Sequence, residues 1–202
     1  MGLHEDLKTT RQRRCLVAAA SIGMLAILLQ MAGFEGREVL AWDRSGLASG
    51  ELWRLVTGHF VHLGWSHLGL NLAGLALVTW ITGAAYGLLR WAVIALATIV
   101  VIDAGFWYLY QELDWYVGLS GLLHGLLAAG LLAGVRGRDR EALVLAILVT
   151  GKLVWEQTVG PLPGSESGAG GAVIVDAHLY GAVGGLLGAL IPWHRVRPEA
   201  SI

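Results

Sequence analysis

Between Tyr116 and Val135 the chain reads YVGLSGLLHGLLAAGLLAGV, a run without a single Asp, Glu, Lys or Arg. About 20 apolar residues carry a helix through the ~30 Å hydrocarbon core of a bilayer, so this stretch points to a membrane-embedded helix. Near its start a serine stands among glycines, in Gly118-Leu119-Ser120-Gly121. A lone hydroxyl in such a helix ordinarily bonds the carbonyl one turn back. Glycines there ordinarily let neighbouring helices approach closely. Whether Ser120 does more depends on what the rest of the chain brings to its depth.

The whole chain repeats the pattern. Of its 202 residues 55% are hydrophobic and 14% charged, with mean hydropathy +0.62, against about 25% charged in soluble domains. Apolar runs are expected as helices over residues 15–32, 65–82, 91–110, 117–135, 142–159 and 173–193. The expected fold is therefore an all-α polytopic membrane protein, a six-helix bundle forming one domain over residues 1–202. Arg11, Arg13 and Arg14 before the first run mimic a signal peptide. No convincing small-residue cleavage motif follows and more spans come after, so the run reads as the first helix. A net charge of −1 gives no reason to expect a nucleic-acid partner. The single cysteine, Cys15, excludes an intrachain disulfide and any multi-cysteine metal site. No cofactor or metal is expected.

Orientation follows from the basic residues between spans. With the N-terminus in the cytoplasm, that side holds Lys8, Arg11, Arg13, Arg14, Arg90, Arg136, Arg138, Arg140, Arg195 and Arg197. The other side holds Arg37, Arg44 and Arg54, and Lys152 lies within the fifth helix. Both termini are then expected in the cytoplasm. The long polar connection 34–64 and the Gly/Pro/Ser-rich loop 160–171 face outward. The second, fourth and sixth helices descend from that outer face.

Their polar residues fall at one level. Ser120, His178, and the pair His67 and Asn71 on one face of the second helix all lie roughly 5–10 Å below the outer boundary, at 1.5 Å per residue. Polar groups at membrane depth are costly and face a bundle interior or a wet cavity. Together these four suit acyl transfer. Ser120 would be the nucleophile, too weak without an adjacent base. His178 would be that base, with an ordinary pKa near 6.5. His67, Asn71 and the Ser120 amide could hold an oxyanion. Gly118, Gly121 and Gly125 on one helix and Gly181, Gly184, Gly185 and Gly188 on another would permit the close contact a Ser–His bond needs.

The other charged residues read differently. Asp176 sits two residues before His178, about 200° round the helix, a poor position from which to orient its ring. Lys152 and Glu156, four apart, suit a structural pair, and Asp103 could touch His124, a partner the sequence leaves open. His59, His62 and His67 with Asp176 could suggest a metalloprotease. The H-E-x-x-H motif that would supply ligands and base does not occur. No internal repeat suggests a transporter.

In this order and topology, several short motifs resemble those of the rhomboid intramembrane serine proteases. They are Trp53-Arg54, then His62, His67 and Asn71 in HLGWSHLGLN, then Gly118-Leu-Ser120-Gly121, and Ala177-His178-Leu-Tyr-Gly181. The resemblance spans about Glu51 to Gly188. It implies a Ser120–His178 dyad with no acidic third member. It implies an oxyanion hole of His67, Asn71 and the Ser120 amide, and structural roles for His62 and Trp53-Arg54 in the outer loop. Many members carry a tyrosine one turn after the serine, stacked on the catalytic histidine; here it is His124, which can stack on His178 or couple to it electrostatically. That substitution, with Trp155-Glu156-Gln157, the segment Gly160–Gly164 and the segment Val175–Tyr180, is similar to the rhombosortase subfamily. That resemblance implies exported substrates with a C-terminal Gly-Gly motif, a hydrophobic helix and a basic end. It also implies a bacterial inner membrane and a site open to the periplasm. Cleavage near the glycine pair would end in hydrolysis or in transfer to an amine. A non-catalytic rhomboid-like chaperone is the alternative.

Overall fold

Helices dominate the computed structural model, which describes residues 2–192. The chain begins with α1 (Gly2–Met31) and continues through α2 (Gly33–Leu40), β1 (Trp42–Asp43), α3 (Arg44–Ala48) and α4 (Arg54–Thr57). Then come α5 (Trp65–Thr82), α6 (Leu88–Tyr108), β2 (Trp115–Tyr116) and α7 (Ser120–Arg136). The last elements are α8 (Arg140–Thr158), α9 (Ser165–Ala169) and α10 (Val175–Leu190). The long helices α1, α5, α6, α7, α8 and α10 fall on the expected apolar runs, with boundaries displaced for local reasons. α8 starts where Asp139 caps it, its Oδ1 accepting from the amides of Glu141 at 2.9 Å and Ala142 at 3.2 Å. α7 starts at Ser120 because Gly118, at φ +128°, cannot belong to a helix. α1 starts well before Cys15, so Lys8, Arg11, Arg13 and Arg14 ride on its first turns. Residue 193, the expected end of the last helix, lies outside the described residues.

Among the described residues, two helices are long and apolar enough to cross a bilayer on those grounds alone, within Glu5–Met31 and Leu88–Tyr108. α7 and α10 are apolar but only 17 and 16 residues long, about 25 Å at 1.5 Å per residue. α5 carries His67 and Asn71, and α8 carries Lys152 and Glu156, which lower their apolar character. The helices alternate in direction. A cavity lined by Lys8, Arg11, Ile81, Gly134 and Asp139 gathers the starts of α1 and α8 with the ends of α5 and α7. A neighbouring one adds the start of α6 and the end of α10 through Arg90 and Ile191.

Packing is tightest between α7 and α10. A Cβ on Gly181 would lie 2.0 Å from the Gly121 carbonyl oxygen, and one on Gly185 would lie 2.0 Å from that of Gly125. The expected close approach of these two glycine faces is therefore present. Leu119, Leu122 and Leu123 of the serine segment pack with Leu75 of α5. At the end of the bundle that holds Ser120, Trp42 and Phe106 meet edge to face at 5.4 Å, beside Tyr116 and Ala177.

The connection 34–64, expected as a long, mostly polar connection, is a folded unit. Arg54 is its centre, donating to the carbonyls of Glu38 and Ala41 at 2.8 Å each and pairing with Glu51. Its two-residue strand β1 pairs antiparallel with β2, Trp42 opposite Tyr116 and Asp43 opposite Trp115. The segment 160–171 likewise contains α9, whose Ala169 is buried and whose carbonyl accepts from Ser66 at 3.4 Å.

Candidate active site

Ser120 is presented by the segment that leads into α7. Gly118 donates its amide to the Gly58 carbonyl at 3.0 Å, which ties that segment to the folded connection. A Cβ on Gly118 would meet the His67 ring at 2.8 Å. Behind it Tyr116 donates to the Gly118 carbonyl at 2.7 Å. Burial pushes the Tyr116 phenol up from its ordinary pKa, so it stays a donor. Tyr116 in turn receives the edge of His59 at 5.5 Å, and His59 Nε2 lies 3.3 Å from Asp103 Oδ1. Asp103 therefore supports the approach to the serine through His59.

At the head of α7, Ser120 Oγ lies 3.0 Å from Nε2 of His178 on α10. His178 is buried. The Ser120 amide belongs to the first turn of α7, where N–H groups have no partner within the helix and the helix dipole favours negative charge.

His67 stands over Gly118. Its Nδ1 accepts from the Leu63 amide at 3.3 Å, so in the neutral ring the proton sits on Nε2 and is available to donate. Asn71, buried one turn further along α5, spends one amide hydrogen on the His67 carbonyl at 2.9 Å and keeps another. His62 packs edge-on against His67 at 5.1 Å. Burial, with a smaller contribution from His67, pushes His62 down to about 3, so it is neutral at ordinary pH. Trp53 donates to the Val39 carbonyl at 3.3 Å, and with Arg54 it belongs to the folded connection.

His124 stacks on His178, ring centroids 4.2 Å apart and planes 22° from parallel. Its Nδ1 lies 2.8 Å from the Ser120 carbonyl oxygen. A carbonyl only accepts, so His124 carries its proton on Nδ1 and offers a lone pair at Nε2. The Lys152 ammonium fills that acceptor at 2.7 Å. His124 thus lies against one face of the His178 ring and is bonded to Lys152.

One contact departs from the expected dyad. His178 Nδ1 lies 3.0 Å from Glu156 Oε2, and the same oxygen takes Lys152 Nζ at 2.7 Å. Glu156 is 3% exposed. The expected Lys152–Glu156 pair is formed, and it is turned toward the site. Their spacing gave the pairing; their position, two charges inside an apolar run, was the available sign of more. Asp176 is not among the partners that hydrogen-bond His178.

Atoms of His124, Glu156 and His178 lie within 4.8 Å of one another, a spacing that metal ligands can have. Lys152 Nζ is within 3.1 Å of an atom of each. A fixed positive charge there opposes a second cation.

A serine hydroxyl beside a histidine ring, with N–H donors close by, is an arrangement that can carry out acyl transfer. Comparison with known proteins places the chain in a family. The Rhomboid domain family matches residues 49–195. "Rhomboid-like protease 5" of Toxoplasma gondii is 32% identical over 143 residues, 68% of this chain and 16% of that protein. The chain thus spans a small part of that relative's length. "Putative rhomboid protease YdcA" of Bacillus subtilis (strain 168) is 24% identical over 178 residues, 82% of this chain and 83% of that protein.

Proposed function

The chain belongs to the rhomboid family of intramembrane serine proteases, and from that premise we propose that it cleaves membrane-anchored proteins with Ser120 as nucleophile and His178 as general base. The observation that carries this reading is the 3.0 Å contact between Ser120 Oγ and His178 Nε2. In acylation the Ser120 proton passes to Nε2 as Oγ attacks the carbonyl carbon. The resulting oxyanion is met by the Ser120 amide, His67 Nε2 and Asn71 Nδ2. Collapse returns the proton from Nε2 to the leaving amine. Water, or an amine acceptor, then resolves the acyl-enzyme by the same steps in reverse.

The finer reading is a rhombosortase that works in a bacterial inner membrane. Its substrates are exported proteins ending in Gly-Gly, a hydrophobic helix and a basic tail. Supporting it are His124 in place of the usual tyrosine and the motifs around Trp155, Pro161 and Asp176. Glycines favour local unwinding, and an extended peptide bond is what a serine at membrane depth can attack. Six spans with the site open to the periplasm complete the proposal, supported by the alternating helix directions and the basic-residue bias. The segment 160–171, with α9 seated on α5, would flank the substrate's entry.

Co-expression with a reporter bearing such a tail tests the reading. Tail loss, read by intact mass, is expected with wild type and not with Ser120→Ala or His178→Ala. The product mass separates hydrolysis from transfer. No loss, but fluorophosphonate labelling of Ser120, would keep the protease and discard this substrate. Neither loss nor labelling in folded protein would favour a non-catalytic homologue.

A further inference from the structure

We infer that Glu156, held in place by Lys152, is a positioning residue for His178, so that the proposed dyad works as a Ser120–His178–Glu156 triad. This rests on the serine-protease reading above and adds to it a third member from α8.

The hydrogen-bond inventory carries the argument. An ionised carboxylate only accepts, so the 3.0 Å contact between Glu156 Oε2 and His178 Nδ1 requires the proton on Nδ1. Nε2 is then a lone pair facing Ser120 Oγ at 3.0 Å, the tautomer a general base needs. Lys152 Nζ also lies 3.1 Å from Nδ1. If the lysine donated there, Nε2 would carry the proton and His178 could not accept from Ser120. Glu156 decides between these tautomers, because the alternative would set an Nδ1 lone pair against its own negative charge. Lys152 instead donates to Glu156 and to His124 Nε2, at 2.7 Å each. His124 returns the connection to the Ser120 carbonyl and covers the face of His178. In the base-competent tautomer every hydrogen bond of this closed network pairs a donor with an acceptor, and the 3.1 Å approach of Lys152 Nζ to His178 Nδ1 is a donor–donor contact that Glu156 Oε2, shared by both, offsets.

Charge gives the second reason. When His178 takes the serine proton, the ring becomes positive beside the Lys152 ammonium. With Glu156 present the three groups sum to a single positive charge; without it, two adjacent positive charges would stand at membrane depth. Glu156→Gln should therefore be worse than losing both charges together.

The test is fluorophosphonate labelling of Ser120 in the full chain in bilayer discs, with 15N NMR of its histidines. Wild type should label, and Ser120→Ala should not. Glu156→Gln should label slower by about 10²-fold or more, the scale of a general acid–base contribution. Glu156→Gln/Lys152→Met should recover part of that loss. In unsubstituted protein, the His178 signals, assigned by their loss in His178→Asn, should show a protonated Nδ1 and a bare Nε2. An equal labelling rate in folded Glu156→Gln, or a protonated Nε2 in wild type, overturns the triad and leaves the protease reading standing. No labelling of folded wild type overturns both.

Discussion

Gly118 shows how little freedom the site allows a single residue. Its φ of +128° lies where side chains are strained, and its missing Cβ is the space the His67 ring occupies at 2.8 Å. Strain of this kind costs about 1–3 kcal/mol, and the clash adds displacement of His67, the proposed oxyanion donor. Gly118→Ala is expected to lower thermal stability modestly while slowing Ser120 labelling by about 10²-fold, the cost of one lost oxyanion donor. Labelling that falls only as far as the folded fraction does would assign Gly118 to folding alone. At this scale much of the site is legible in the sequence. Ser120, His178, His67 and Asn71 stand out because depth follows from helical rise, and polar groups at depth are rare. The bond from Glu156 to His178 is not legible. Spacing places Lys152 and Glu156 on one face of α8, but which neighbour that face meets depends on how α8 packs. The partnership of Asp103 with His59 is hidden for the same reason, since 44 residues separate them.

Between α7 and α10 the glycines set a distance. The Ser120–His178 bond spans these two helices, so any residue that separates them lengthens it. Gly181 is the sensitive position, three residues beyond His178, where a Cβ would fall 2.0 Å from the Gly121 carbonyl oxygen. Gly151 on α8 is the contrast, with nothing within 4 Å of its Cβ position. Alanine in a helix interior is favoured over glycine by about 0.5–1 kcal/mol. Gly151→Ala should therefore leave the melting temperature unchanged or slightly raised and keep activity, whereas Gly181→Ala should lose both stability and Ser120 labelling. Equal behaviour of the two variants in melting and labelling would remove the argument from close packing. Element boundaries follow sequence where local chemistry sets them: Gly64 and Gly83 bracket α5, and its range coincides with the expected 65–82. The short elements α2, α3, α4 and the β1–β2 pair escape a reading by periodicity. They are fixed by distant contacts, such as Arg54 reaching the carbonyls of Glu38 and Ala41.

For the molecule as a whole, the distribution of basic residues joins the site to a side of the membrane. The ends of α5 and α7 meet the starts of α1 and α8 around Lys8, Arg11 and Asp139. Ser120 lies at the opposite end of α7, level with the folded connection and with α9. Lys and Arg near the ends of spans are retained in the cytoplasm, so the proposed orientation puts the Ser120 end outside. Single cysteines report this without disturbing the charge bias, once the buried Cys15 is replaced by Ser. Ser167 in α9 and Glu141 at the start of α8 are exposed, and neither is basic. In intact cells stripped of any outer membrane, Ser167→Cys should react with a membrane-impermeant maleimide and Glu141→Cys should react only after lysis. The reverse pattern would turn the site toward the cytoplasm, where the tail of an exported protein could not meet it from outside. Because the serine and α9 lie at the same end of the bundle, this one comparison fixes which face of the membrane a substrate must approach.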